Sequence, residues 1–157
     1  MSPLTARNPN EDKAEATAES GQTTTMLTEI DHVAIAVRDL GSAIDYYRET
    51  FGALVEHREI VESDGVEEAL LRVAESYIQL LTPTNDDSPV AKAIEKRGEG
   101  LHHIGYRVRD CAEALEAVKA NGGRVIDEAP RPGSRGTTVA FVHPKGAFGT
   151  LIELVQE

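Results

Sequence analysis

Residues 30–82 and 101–156 carry one order of elements twice, and the two copies align residue by residue. Asp31–Val37 lies over His102–Val108, with His32 and His103 71 positions apart. The same offset of 71 relates Asp39 to Asp110 and Gly52 to Gly123. Near the ends of the copies, Tyr77–Leu81 lies over Leu151–Val155, which pairs Gln79 with Glu153 at an offset of 74. Three added residues in the 130–136 loop account for the difference. Agreement of strand, cap, stop and polar position together marks a duplicated module rather than chance similarity.

Each copy reads as βαβββ. Ile30–Arg38 alternates apolar with small or polar residues, as a strand does. Asp39 can cap a helix that carries Leu40, Ala43, Ile44 and Tyr47 on one face and stops at Gly52. Strand-like runs follow at 53–60, 66–74 and 77–82. Ser88 and Pro89 open a linking helix over 88–98, stopped by Gly98. The second copy places strands at 101–108, 124–127, 137–143 and 150–156. Its helix is capped by Asp110 and ended by Gly122 and Gly123.

Residues 1–25 break the pattern. Ala, Glu, Thr, Asn and Ser dominate there, and Pro3 and Pro9 interrupt any periodicity. Such a segment cannot bury enough surface to offset its ordering entropy, so it is expected as a disordered polar tail before a domain at 26–157. Arg7 and Lys13 face four acidic residues, which does not suit a transit peptide, and the apolar run of a secretory signal is missing. The formal net charge of the chain is -11. That acidity leaves nothing to drive counterion release from nucleic acid. No apolar stretch approaches the roughly 20 residues of a membrane span. Cys111 is the single cysteine, which excludes an internal disulfide framework. A cytoplasmic protein without nucleic-acid or membrane partners is expected.

The polar residues of the two copies also match. Val33, Ile35 and Val37 share one strand face, and His32, Ala34 and Ala36 the other. Ile104, Tyr106 and Val108 likewise oppose His103, Gly105 and Arg107. The apolar faces are expected to pack on helices, and the histidine faces to line a cleft. Gln79 and Glu153 interrupt apolar runs, and a carboxylate in such a run is costly unless it is paired or binds a metal. His32, Gln79, His103 and Glu153 thus form a pseudo-symmetric set. Two imidazoles, a carboxylate and an amide oxygen suit a borderline divalent ion with positions left open. One carboxylate against a 2+ charge favours an anionic ligand. Taken singly, a strand histidine is more often structural and Gln79 a satisfied core amide; the repeat raises the four together. His102 is expected on the face opposite His103, His57 in solvent, and His143-Pro144-Lys145 in a turn. On 66–74, parity sets Ala69, Leu71 and Val73 on the packing face, and so puts Glu68 rather than Glu67 in the cleft. The plainer reading is a pair of exposed edge-strand glutamates.

The duplicated module with these ligand positions resembles the vicinal oxygen chelate superfamily. Within it, DHVAIAV, YYRETFG, YIQLLTP, DSPVAK, LHHIGYRV, FVHPK and LIEL, in that order over about 30–156, resemble the methylmalonyl-CoA epimerase family. The implied fold is α+β, with two tandem βαβββ modules forming a curved mixed sheet around a metal-binding cleft. The implied activity is epimerisation of (2R)- and (2S)-methylmalonyl-CoA, by Cα proton abstraction through an enolate. The resemblance further implies Co2+ (with Mn2+, Ni2+ and Zn2+ as alternatives), an acyl-CoA substrate, a homodimer and a place in propionyl-CoA metabolism. It makes Glu68 the catalytic base, in agreement with parity. It also gives Glu153 a catalytic role beside metal binding. Two other readings use the same scaffold. A glyoxalase I-type lyase or isomerase is disfavoured by the placement of Glu68, and a metal-free small-molecule-binding protein by the histidine and glutamate set.

Overall fold

The computed structural model describes residues 25–157, so the expected tail lies outside the described residues save for Thr25. Strand β1 (Leu27–Ala36) leads through Asp39 into helix α1 (Leu40–Phe51). The Asp39 carboxylate accepts from the Ser42 N–H at 2.8 Å, one of the donors a helix start leaves unpaired. Gly52 closes the helix at φ 68, a left-handed conformation that costs glycine little. Strands β2 (Val55–Val61), β3 (Val66–Val73) and β4 (Ser76–Pro83) complete the first module. Ser88 caps the linking helix α2 (Pro89–Arg97). The second module runs β5 (Gly100–Val108), α3 (Cys111–Ala120) capped by Asp110, β6 (Arg131–Pro132), β7 (Thr138–Val142) and β8 (Ile152–Gln156).

All eight strands join one curled, mixed sheet in the order β2-β3-β4-β1-β5-β8-β7-β6. β1 pairs with β4, and β5 with β8, in parallel; the other pairings are antiparallel. The modules meet along β1 and β5, and the order reads alike outward from that seam. The sequence repeat is thus a structural pseudo-twofold, with His32 and His103 on its two central strands.

The apolar faces pack as their period requires. Ala43, Ile44 and Tyr47 of α1 join Leu40 in a cluster with Ile35, Ala69, Leu71 and Leu80. Cys111, Ala114 and Leu115 of α3 pack with Val108, Ala140, Val142 and Leu154. Leu71, Leu80 and Leu115 are at most 1% exposed, each contributing about 2 kcal/mol of burial. Helix α2 covers the other side of the sheet, where Val90 and Ile94 close over Ala34, Ala36, Val66 and Leu81. Part of the inner face is therefore core, and the cleft occupies the rest.

One expected strand is not formed. Residues 124–127 contribute only a bridge between Val125 and Val142. The outermost strand falls instead at Arg131–Pro132, within the expected loop. Asp127 accepts from the Phe141 N–H at 2.8 Å and from Arg131 at 3.1 Å. This segment is thus held by side-chain bonds, while Pro130 and Pro132 offer no N–H to extend a ladder.

Candidate metal and acid–base site

Three of the four expected ligands converge. Nε2 of His32 lies 3.0 Å from Nε2 of His103, and Oε2 of Glu153 lies 3.1 Å from the first and 2.8 Å from the second. Adjacent donors around a six-coordinate ion with bonds of about 2.1 Å stand about 3.0 Å apart, so these separations fit a divalent cation. The strand pairings set them there: His32 is opposite Gly105 on β5, and Gly105 is opposite Glu153 on β8. A Cβ at position 105 would collide with the His32 ring, so glycine makes room for the imidazole. All three side chains line one cleft with Gln79 and Glu68.

Gln79 is buried, and its side-chain NH2 donates to Oε2 of Glu68. A carboxylate only accepts, which fixes the amide with its oxygen turned elsewhere. That Oε1 is buried without a hydrogen-bond partner, a costly state that coordination to an ion would relieve. Glu68 is 2% exposed, so the reading of two exposed glutamates does not hold. Glu67 points the other way and pairs with Arg58 at 2.8 Å. Oε1 of Glu68 also has no partner and is free to act on a bound molecule.

Of the three register shifts between β1 and β5, two bear on the site. Ile30 faces Tyr106 while His32 faces Gly105, so Asp31 is an extra residue on β1. Ala34 faces His103 while Ile35 faces Leu101, which makes His102 the extra residue on β5. Each bulge turns a side chain onto the face of its neighbour. Oδ2 of Asp31 meets Nδ1 of His32 at 2.7 Å. Nδ1 of His102 lies 2.8 Å from Nδ1 of His103. The expectation that His102 faces away from His103 is thus corrected: it lines the same cleft.

The charges are strongly coupled. Burial opposes a charge on His32, but Asp31 and Glu153 outweigh it and raise its pKa to about 9. Burial lowers the pKa of His103 despite its bond to Glu153, and lowers that of His102 to about 4. Glu153 resists burial through His103 and His32, which hold it ionised well below the usual carboxylate range. Glu68 moves the other way. Burial raises its pKa, partly offset by hydrogen bonds from Ser134 and Gln79.

The loop before β7 completes the wall. Ser134 lines the cleft with Glu68, Arg135 reaches Asp31 at 3.0 Å, and Arg131 lies over the Phe141 ring. A second group of donors, His57, Glu59 and Glu68, comes within 4.8 Å of one another. Its half-buried members are already engaged, since His57 pairs with Glu59 at 2.9 Å and Glu59 accepts the Arg135 N–H at 3.0 Å. His57, expected in solvent, is thus half-buried and paired. His143 accepts from the Lys145 N–H at 3.0 Å, as a turn residue does.

Residues 31–141 match the model of the glyoxalase/bleomycin resistance protein/dioxygenase superfamily. An ethylmalonyl-CoA/methylmalonyl-CoA epimerase of Cereibacter sphaeroides is 39% identical, over 83% of this chain and 99% of its own length. The crystal structure of methylmalonyl-CoA epimerase from Mycobacterium tuberculosis superimposes with a TM-score of 0.82 at 38% identity, covering 88% of this chain and 94% of that one. This chain belongs to the methylmalonyl-CoA epimerase family. A Streptomyces coelicolor epimerase variant in complex with 2-nitronate-propionyl-CoA gives a TM-score of 0.81 at 42% identity, over 83% of this chain and 98% of that one. In the epimerase family member described here, sequence reasoning missed Asp31, Ser134 and Arg135. Asp31 stood in the DHVAIAV string beside His32, but only a bulge turns it inward.

Proposed function

We propose that this chain interconverts (2R)- and (2S)-methylmalonyl-CoA by moving the proton at Cα. One juxtaposition carries the reading: a buried carboxylate with an unpartnered oxygen, Glu68, shares a cleft with the donors of His32, His103 and Glu153. Relatives bearing the epimerase name, one with a substrate-like acyl-CoA bound, support it. We assign His32, Gln79, His103 and Glu153 as metal ligands and Co2+ as the ion, with Mn2+, Ni2+ or Zn2+ able to replace it. When bound, the ion supplies Lewis-acid stabilisation of the charge that develops on a thioester oxygen as the enolate forms.

The chain's own residues handle the proton. Glu68 takes it from one face of Cα, and the raised pKa that burial gives this carboxyl strengthens it as a base. On the opposite face Glu153, in its protonated form, returns a proton to Cα, and the two carboxyls exchange roles in the reverse direction. Both imidazole contacts fall on its Oε2, which leaves Oε1 for that task. Glu153 is the weaker base of the two, because His103 and His32 stabilise its ionised form. Val66, Leu70, Leu81 and Phe141 supply apolar walls that limit water around the reacting carbon. We further infer a homodimer working in the cytoplasm within propionyl-CoA metabolism. Among the described residues, no helix is long and apolar enough to cross a membrane.

Proton NMR of one methylmalonyl-CoA epimer in D2O tests the proposal, with metal-loaded and EDTA-treated protein. Deuterium uptake at Cα well above the spontaneous rate, lost on chelation, is the expected result. No uptake with a verified bound ion would remove the epimerase reading.

A further inference from the structure

We propose that Asp31 and His102 are matched positioning residues, set at one point of the repeat, that hold His32 and His103 with Nε2 turned toward the ion. The inference rests on the metal site assigned above. It goes beyond that site by naming what orients two of its ligands.

The repeat makes the match. Asp31 and His102 are 71 positions apart, as are His32 and His103. Each of the former is a bulged residue, at the seam where β1 and β5 pair. In a regular strand, consecutive side chains point to opposite faces, so neither could touch the residue that follows it. A bulge also leaves a residue out of the ladder, which costs pairing. Both modules carry this irregularity at the same place. In both, its result is the same: a side chain set against Nδ1 of the next histidine, at 2.7 Å for Asp31 and 2.8 Å for His102.

The chemistry follows from donor and acceptor capacity. A carboxylate accepts only, so the His32 nitrogen facing Asp31 carries a hydrogen. A neutral ligating imidazole has a single N–H, so its lone pair is then on Nε2. Nε2 is the atom that converges with His103 and Glu153. For His103 the same logic requires His102 to accept at Nδ1.

The two supports differ in rigidity. Asp31 is fully buried and clamped from behind. Arg107 donates to its Oδ1 at 2.9 and 3.2 Å, and Arg135 to its Oδ2 at 3.0 Å. Among the described hydrogen bonds, His102 meets only His103 through its side chain. Asp31 therefore fixes its imidazole more firmly than His102 does, and a clamp from Arg135 ties the loop that carries Ser134 to the same carboxylate.

The test uses the whole protein loaded with Zn2+, a diamagnetic probe. Proton–nitrogen NMR of the imidazoles reads which nitrogen carries hydrogen, and competition with a chromophoric chelator reads affinity. In the wild-type protein, His32 and His103 are both expected to be protonated at Nδ1 and coordinated through Nε2. Asp31→Asn removes the charge and keeps the shape. It is expected to lower Zn2+ affinity about 10- to 100-fold and to displace the His32 N–H resonance, which a purely structural role would leave in place. Equal affinity in Asp31→Asn and wild type, or His32 coordinated through Nδ1, would overturn the inference. If Asp31→Asn does not fold, the wild-type spectrum alone still decides. A wild-type protein that takes up no Zn2+ would instead overturn the metal assignment, and this inference with it.

Discussion

Gln79 links the two halves of the chemistry, because its side-chain NH2 donates to Glu68 while its oxygen lies buried and unpartnered in the same cleft. An amide is suited to this place since its two ends have opposite character. One end favours an ionised Glu68, the proposed base, and the other is the neutral oxygen proposed to meet the cation.

Removing that link has a signed consequence. Gln79→Ala takes away a hydrogen bond that favours the ionised form of Glu68, so the carboxyl pKa rises further above the ordinary 4.5. Activity requires the ionised base, and is lost as pH falls through that pKa. The acid limb of kcat/KM is therefore expected at higher pH in Gln79→Ala than in wild type, together with weaker metal binding. A pH–rate profile with an unmoved acid limb would separate Gln79 from the base.

Glu68→Gln is expected to lower the rate of Cα exchange by about 100- to 10,000-fold, the range of a general base. Metal content should be unchanged, because Glu68 is not among the donors of His32, His103 and Glu153. Deuterium uptake and metal analysis on one preparation check both halves. Normal turnover in this variant would sink the assignment of the base.

His32 makes metal uptake dependent on pH. Its pKa of about 9 means that the metal-free protein holds a proton there at neutral pH. An ion that takes Nε2 must displace it. Apparent affinity is expected to rise about tenfold per pH unit from about pH 7 and to level off near pH 9. The same shift adds stability to the metal-free protein below the ordinary value of 6.5, and that stability fades as pH rises through 9. Calorimetric titration in buffers of different ionisation enthalpy would count about one proton released per ion near neutral pH. No proton release would contradict the charged pair of His32 and Glu153.

The sequence carried the fold far because its main signals are local. Asp39, Asp110, Ser88 and Gly52 each end a helix through their own backbone or side chain, and are legible singly. Period two placed His32, His103 and Glu68 on the cleft face, and the interrupted apolar runs at matching points of the repeat marked Gln79 and Glu153, before any pairing was known. What it could not show depends on register. The bulges at Asp31 and His102 reverse the parity of one residue each, and nothing in DHVAIAV or LHHIGYRV marks them. Helix α2 was visible, but not that Val90 and Ile94 close over the inner face. Ser134 and Arg135 read as turn residues, since a loop has no period to say which side chains return to the sheet.

Gly105 tests the seam itself. It lies opposite His32 on β1 and opposite Glu153 on β8, and a side chain there would overlap the His32 ring. Its backbone φ is not in the left-handed region, so alanine is acceptable to the chain and only space forbids it. In Gly105→Ala either the ring moves or the strands separate. Overpacking of this kind costs about 1–3 kcal/mol, and a displaced imidazole loses its place beside His103 and Glu153. Thermal unfolding of the metal-free variant should show a lower Tm than wild type, and chelator competition a weaker ion. If the ring alone moves, Tm changes little and affinity carries the loss. Wild-type values in both measurements would mean that the histidine does not occupy the space the glycine leaves.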